Sequence, residues 1–509
     1  MIRILPACAE RSSQWLGLWT FRAMLLLSLA TFLKLSFDYG ATVDELLAHI
    51  YGERIFNYYA SGFADQSAKD FYNLHFYGGF FELICVVCVK ISSWLGMNRY
   101  LENLYEVRHL VNAVFGWLMV AFAGLLARRL YGVWAGILAM FLLLVTPRFL
   151  GHAFNNPKDT PFAAIFLGAL YFMSFFQRAY PFMKPHILAG LTICVGLSMA
   201  VRIGGLLLVC YAALFLAVLM FLDRAALDWK KLLRTFCVFV LSIMAAFILN
   251  ALFSPWQLEN PIVRPFQALR EMSHLVGYPD SVIFEDHVWD YLHLTRRFLP
   301  IWLLISTPIV LMSGFVLSIF FCWRGHRRLF TGLLFFSVVF PVAYVLLKHP
   351  PLYHDMRHFF FIIGPAVVLA SGGFCLAFRT LRNRAATSEG RQIVALIFGV
   401  GLVALSWHPA SFILRNHPNE AVYFNQVVGG YPGAFFSFEL DYWMNAGKEA
   451  RRWIRTMGAI NGRTEEDYEL VNLNVAREGR TKILKDKSVV HGIFVDGYPV
   501  MLIRPKSGK

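Results

Sequence analysis

Between residues 16 and 413 the sequence passes through one apolar run after another, each roughly 16 to 24 residues long, about what a helix needs to cross 30 Å of hydrocarbon. Few features constrain a fold more. Backbone N–H and C=O groups in lipid must pair within their own segment, so the runs are expected to be helices. They lie near 16–37, 107–127, 133–149, 161–177, 187–201, 203–222, 235–254, 299–321, 330–347, 359–378 and 393–413, about eleven spans in all. The first is too long, and too poorly followed by a small-residue cleavage site, to read as a removable signal peptide, and is expected to remain as a span. Composition agrees: 58% of the 509 residues are hydrophobic and only 16% charged, against roughly a quarter charged in a soluble domain.

The charge distribution predicts an orientation. With the N-terminus in the cytoplasm, alternate loops collect 18 basic residues (among them Arg3, Arg128, Arg178, Arg224, Arg324, Arg379 and Arg384) against four acids, Glu10, Asp223, Asp228 and Glu389. The formal charge of +15 is thereby explained by topology, and no nucleic-acid partner is expected. One apolar stretch, 74–96, is left out of the count, because treating it as a span would export most of the basic residues. It reads as a helix in or dipping into the outer interface, with Tyr77 and Trp94 as anchors. The outer side then holds a first loop (38–106), the segment around Asp159, the loop 254–298, the stretch 348–358 and a tail from about 414. That tail (414–509) reads as a small α+β domain, with a helix near 448–457 and strands near 468–475, 488–495 and 500–503. All eight cysteines precede residue 380, mostly in apolar runs, and indicate packing; the Cys85/Cys88 pair has no second pair to complete a metal or redox site.

The outer segments carry the residues with chemistry to offer. Asp44 and Glu45 open the amphipathic stretch VDELLAHIYGERIFNYYASG. Adjacent carboxylates there can serve as a base and a metal ligand, while an acid at a helix start also serves as an ordinary cap. Asp159, in GHAFNNPKDTPFAAIF, stands at the mouth of a span, where capping is again the simple alternative. Arg202 interrupts an apolar stretch and is expected at an outer turn, meeting a lipid phosphate or snorkelling. The segment LLKHPPLYHDMRHFFFIIGP gathers Lys348, His349, His354, Asp355, Arg357 and His358, a set suited to an anionic ligand. Arg357 offers a fork of donors to a phosphate, and the histidines with Asp355 are candidate ligands for a divalent metal ion. Glu285, Asp286, His287 and Asp290 form a similar but less specific group.

In this order the pieces resemble the GT-C class of multispanning glycosyltransferases that take a sugar from a polyprenyl phosphate, the class of protein O-mannosyltransferases (family 39) and the lipid A aminoarabinose transferase. The likeness is carried by the Asp-Glu pair in VDELLAHIYGERI, by NLHFYGGFFELI, by RHLVNAVFGWLMVAFAGLLARRLYG with the apolar stretch after it, and by the ending EAVYFNQVVGGYPGAFFSFELDYWMNAGKEARRWI. The first-loop segment keeps Asn73, His75 and Gly78 but lacks the Pro-Pro common in the class.

The resemblance implies a GT-C transmembrane domain over 1–413 and a non-cytoplasmic C-terminal domain over 414–509. It makes Asp44 the catalytic acidic residue, Glu45 its neighbour in the motif and Asp159 a second acid on the same cavity, with Arg357, Lys348 or Arg202 at the donor phosphate. Transfer would invert the anomeric centre, at the periplasmic face of a bacterial inner membrane, from a polyprenyl-phosphate sugar to a lipid, glycan or protein acceptor. A transporter or flippase of a lipid-linked substrate is the rival reading, though neither repeated halves nor broken midplane helices are evident. A non-catalytic membrane assembly protein would have no need of the paired acids.

Overall fold

The computed structural model describes residues 4–97, 104–176, 183–223, 228–274, 281–323 and 327–506. Arg3, Arg178, Arg224 and Arg324 of the basic loops lie outside them. Among the described residues seven helices are long and apolar enough to cross a membrane: Gln14–Leu35, Leu104–Tyr131, Ile203–Leu222, Trp229–Ala251, Arg328–Lys348, Arg357–Arg384 and Ser388–Asn416. Two further pairs qualify only jointly. Val133–Leu144 and Pro147–Ala153 meet at a 75° bend, and Phe298–Ser306 and Ile309–Phe321 at 110°, which raises the count to nine. The apolar runs at 161–177 and 187–201 become the 15-residue helices Asp159–Met173 and Pro185–Met199, about 22 Å long and short of the hydrocarbon thickness. By length alone, therefore, the structure supports seven to nine spans where the sequence suggests about eleven.

The irregularities have local causes and a common location. Thr146 is extended and Pro147 opens the next helix, as the restriction on a residue before proline requires. Thr307 is likewise extended before Pro308. Asp159 begins one short helix, and the other ends just before Arg202, to which Asp159 is joined. Non-helical backbone at such depth is tolerated where it is buried in protein or lines a polar cavity.

The first helix ends at Leu35, and Leu104–Tyr131 begins on the same side, since Phe37, Tyr105 and Glu106 line one cleft. The intervening chain, including the helix Phe80–Trp94, thus makes no net crossing. Gly78 lets this first loop sit directly on a helix end: a Cβ there would collide with the Ala200 carbonyl, which accepts from Phe80 N at 3.1 Å. At the opposite end of the bundle Arg379 donates to the Tyr131 carbonyl at 3.3 Å and, with Arg327 and Arg384, borders a hollow between helix ends. Basic turns and site-bearing loops therefore occupy opposite ends.

The tail contains the helix Gly447–Asn461 and a three-stranded antiparallel sheet of Tyr468–Asn472, His491–Val495 and Tyr498–Pro505, the last strand in the middle. It does not pack apart. Phe424, Tyr431, Phe435 and Phe438 belong to the same continuous core as the membrane helices. Asn445 links three segments: its Oδ1 accepts from Asn155 at 2.8 Å and from Gly40 N at 3.2 Å, and its Nδ2 donates to the Pro418 carbonyl at 2.8 Å. The group 285–290 serves docking, in a hairpin of Val282–Phe284 and His287–Trp289. Asp286 bonds Arg477 and Ser437 of the tail, and Glu285 pairs with Arg297.

Candidate functional site

The site is assembled from four loops and the tail. Asp44 stands immediately before the helix Glu45–Ala60, yet its side chain makes no capping hydrogen bond. It turns instead toward Arg357, whose Nη1 lies 3.6 Å from Oδ2, an ion pair longer than a good hydrogen bond. The Asp44 side chain keeps 36% of its surface accessible, while that of Arg357 keeps only 9%. Burial would push the Asp44 carboxyl up, but Lys158, Arg357 and His354 together outweigh it and hold the carboxyl below its ordinary range. Asp44 is thus an accessible, ionised carboxylate at the edge of a buried cationic niche.

Arg357 owes its position to a strained turn. His354 and Asp355 both adopt left-handed backbone (φ 51° and 52°), a conformation that costs non-glycine residues of order 1 kcal/mol or more each. Asp355 fixes the turn: one oxygen accepts from Arg357 N at 2.6 Å and the other from Arg148 Nη1 at 2.5 Å. Arg148 is held in turn by the Tyr423 carbonyl and stacks over Trp302 and Phe424. The Arg357 guanidinium lies within 6 Å of the rings of Tyr353, Tyr442 and Trp443, a setting that favours a cation. Its Nε is buried without a hydrogen-bond partner. His354 stacks on Tyr442 at 4.4 Å and bonds Glu439.

Asp159 is buried and already committed. It accepts from Arg202 Nη2 at 2.7 Å and from Asn156 Nδ2 at 3.0 Å, and its own N–H bonds Asn156 Oδ1 at 2.8 Å. Arg202 accordingly faces a protein carboxylate. Lys158, next to Asp159, lies over the ring of Tyr77.

Glu45 turns the other way, into a buried polar cluster. Its Oε2 accepts from Thr42 N at 2.7 Å and contacts His109 Nε2 at 3.2 Å. Behind it, Arg108 bonds Glu82 at 2.7 Å and lies 3.8 Å from Glu45. The 28 residues of Leu104–Tyr131 reach about 42 Å, roughly 12 Å beyond the hydrocarbon, so Arg108 and His109 fit in the protruding first turns.

Of the residues singled out in the sequence, Asp44, Asp159, Arg202 and Arg357 therefore converge on one region. Lys348 does not join them: it is exposed at the end of Arg328–Lys348 and makes no ion pair among the described residues. Arg148, Asn156, Glu439, Tyr442 and Trp443 were not foreseen. The signal for Arg148 was an arginine inside the apolar run LLLVTPRFL, since an ionisable residue at such a position is a functional candidate by default. No group of three His, Cys, Asp or Glu side chains suited to a metal ion exists among the described residues.

No protein-family model matches the chain, and no curated protein matches it by sequence. Solved structures do. The archaeal oligosaccharyltransferase AglB from Archaeoglobus fulgidus, in complex with an inhibitory peptide and a dolichol-phosphate, aligns over 78% of this chain and 56% of its own, with a TM-score of 0.50 and 15% identity. ArnT from Cupriavidus metallidurans bound to undecaprenyl phosphate aligns over 80% and 74%, with a TM-score of 0.48 and 17% identity. AglB in complex with Zn and sulfate aligns with a TM-score of 0.44 and 14% identity. The likeness to AglB in its dolichol-phosphate complex, at 15% identity, shows a shared overall fold.

Proposed function

We propose that this chain is a GT-C type glycosyltransferase that moves a sugar from a polyprenyl-phosphate donor to an acceptor, with the Asp44 region at the periplasmic face of a bacterial inner membrane. The two 15-residue helices would count as spans beside a polar vestibule, for about eleven in all. Residues 414–509 would form the non-cytoplasmic domain. The carrying observation is the Asp44–Arg357 pair: an accessible carboxylate free of any cap, facing a guanidinium buried among aromatic rings.

In this reading Arg357 receives the donor phosphate. The phosphate takes over the guanidinium donors, Asp44 is released, and its carboxylate becomes more basic as its cationic neighbours are neutralised. An acceptor hydroxyl or amine then attacks the anomeric carbon from the face opposite the phosphate. The carbon–phosphate-oxygen bond breaks with its electron pair leaving on polyprenyl phosphate, and the acceptor proton passes to Asp44. One displacement inverts the centre. Asp159 and Arg202 form a buried pair that fixes the wall beside Lys158, and Glu45 anchors the loop that presents Asp44.

The test is release of radiolabelled sugar from a polyprenyl-phosphate donor by the purified chain, beside substrate uptake into proteoliposomes. Acceptor-dependent release without uptake is expected; uptake without release would establish the transporter reading.

A further inference from the structure

Beside the Asp44 loop a cleft of about 640 Å³ opens between the ends of two membrane helices and the tail helix Gly447–Asn461. One wall is basic. Lys448, Arg451, Arg452 and Arg455 all line it, and their spacing of i, i+3, i+4 and i+7 puts them on one helical face. Lys448 is tied to the Phe37 carbonyl and Arg455 to Glu465. Arg451 and Arg452 are exposed and make no ion pair among the described residues. The facing wall is apolar and accessible: Phe37, Val43 and Leu46 are 37%, 55% and 52% exposed.

Two further observations point to a ligand. Phe37 lies just past the end of the span Gln14–Leu35, and Tyr105 lies at the start of Leu104–Tyr131, which sets the cleft at the membrane surface. His109 also lines it and is almost fully buried; its Nε2 contacts Glu45, but its Nδ1 has no hydrogen-bond partner among the described residues. Among the described residues of the lining, Glu106 is the single carboxylate against four cationic side chains. Thr42, Val43 and Leu46 flank Asp44 in sequence, so this cleft and the Arg357 niche share the Asp44 loop as a partition.

We infer that this cleft binds the anionic headgroup of a lipid acceptor, with phosphate or carboxylate oxygens on Arg451 and Arg452 and acyl chains on Phe37, Val43 and Leu46. The inference rests on the glycosyl-transfer reading and narrows its acceptor to an amphiphilic, negatively charged lipid. Arg357 and this cleft would then hold donor and acceptor on opposite sides of Asp44.

The full chain in neutral detergent is titrated calorimetrically with dihexanoyl phosphatidic acid, dihexanoyl phosphatidylcholine and inorganic phosphate. Phosphatidic acid is expected to bind best, and Arg451→Gln/Arg452→Gln to weaken it at least about tenfold, two charge-assisted contacts being lost. The double lysine variant is expected to recover part of the affinity and to control for folding. Equal binding of inorganic phosphate, equal binding of phosphatidylcholine, or unchanged affinity in the double glutamine variant would overturn the inference. Asp44→Asn is titrated in parallel. If it and the wild type bind the probe while the wild type releases no sugar from a polyprenyl-phosphate donor, the transfer reading fails and the cleft stands as a lipid site.

Discussion

Asp44 and Glu45 are neighbours in the chain and live in opposite surroundings. Glu45 is buried against Thr42, His109 and Arg108, with the Arg108–Glu82 pair closing the cluster behind it. Asp44 has one long ion pair, to Arg357, with Lys158 and His354 nearby, no cap and open surface. A buried carboxylate already held by several protein donors keeps structure in place, whereas one left accessible and ionised has bonding capacity to spend on a substrate. Two acids adjacent in a motif thus divide the work: one fixes the loop and the other faces the reaction.

The sharpest way to break the comparison is at the buried cluster. Arg108→Met leaves Glu82 and Glu45 buried without their cation and is expected to cost about 3 to 5 kcal/mol of stability, read as a lower thermal midpoint in detergent. An unchanged midpoint would show that the cluster is not structural. At the open site, Arg357→Ala is expected to fold, and to lose about 1.5 to 3 kcal/mol in kcat/KM for the donor. Arg357→Lys should recover only part, because the planar fork is gone; unaltered donor kinetics in the alanine variant would remove Arg357 from the phosphate site.

A smaller effect concerns the joint between tail and first loop. His417 bonds Glu420 at 2.7 Å and Asp38 at 3.1 Å. Burial alone would lower its pKa, but the two carboxylates raise it to about 9 from an ordinary 6.5. A raised pKa in the folded state stabilises fully below the unfolded value and loses that stabilisation as pH rises through the folded one. Thermal stability should therefore decline from pH 6.5 to beyond 9 by under about 1 kcal/mol, as fits a partly exposed pair. His417→Gln should flatten that slope, and an equal slope in the variant would assign the decline elsewhere.

Much of this was legible in the sequence. Apolar length located the helices, and Asp44, Asp159, Arg202 and Arg357 stood out as charged residues at the ends of apolar runs. Composition did not show that the runs at 133–149 and 299–321 bend sharply at Thr-Pro steps, because apolar content measures burial and is blind to direction. The Thr-Pro dipeptides were the available signal. Nor did it show that Tyr442 and Trp443 reach Arg357, or that Asp355 bonds Arg148, contacts closed across long stretches of chain. The opposed facing of Asp44 and Glu45 was hidden for another reason: adjacent helical positions diverge by about 100°, yet a motif is read as a unit.

The most direct test measures sugar transfer and thermal stability together for Asp44→Asn and Glu45→Gln, prepared alike. Asn keeps the size of Asp and cannot accept the acceptor's proton. A stable Asp44→Asn protein with transfer reduced about 10²- to 10⁴-fold is expected, and a Glu45→Gln protein whose first loss is stability. A stable Asp44→Asn protein with near-normal turnover would contradict the role of Asp44 as proton acceptor.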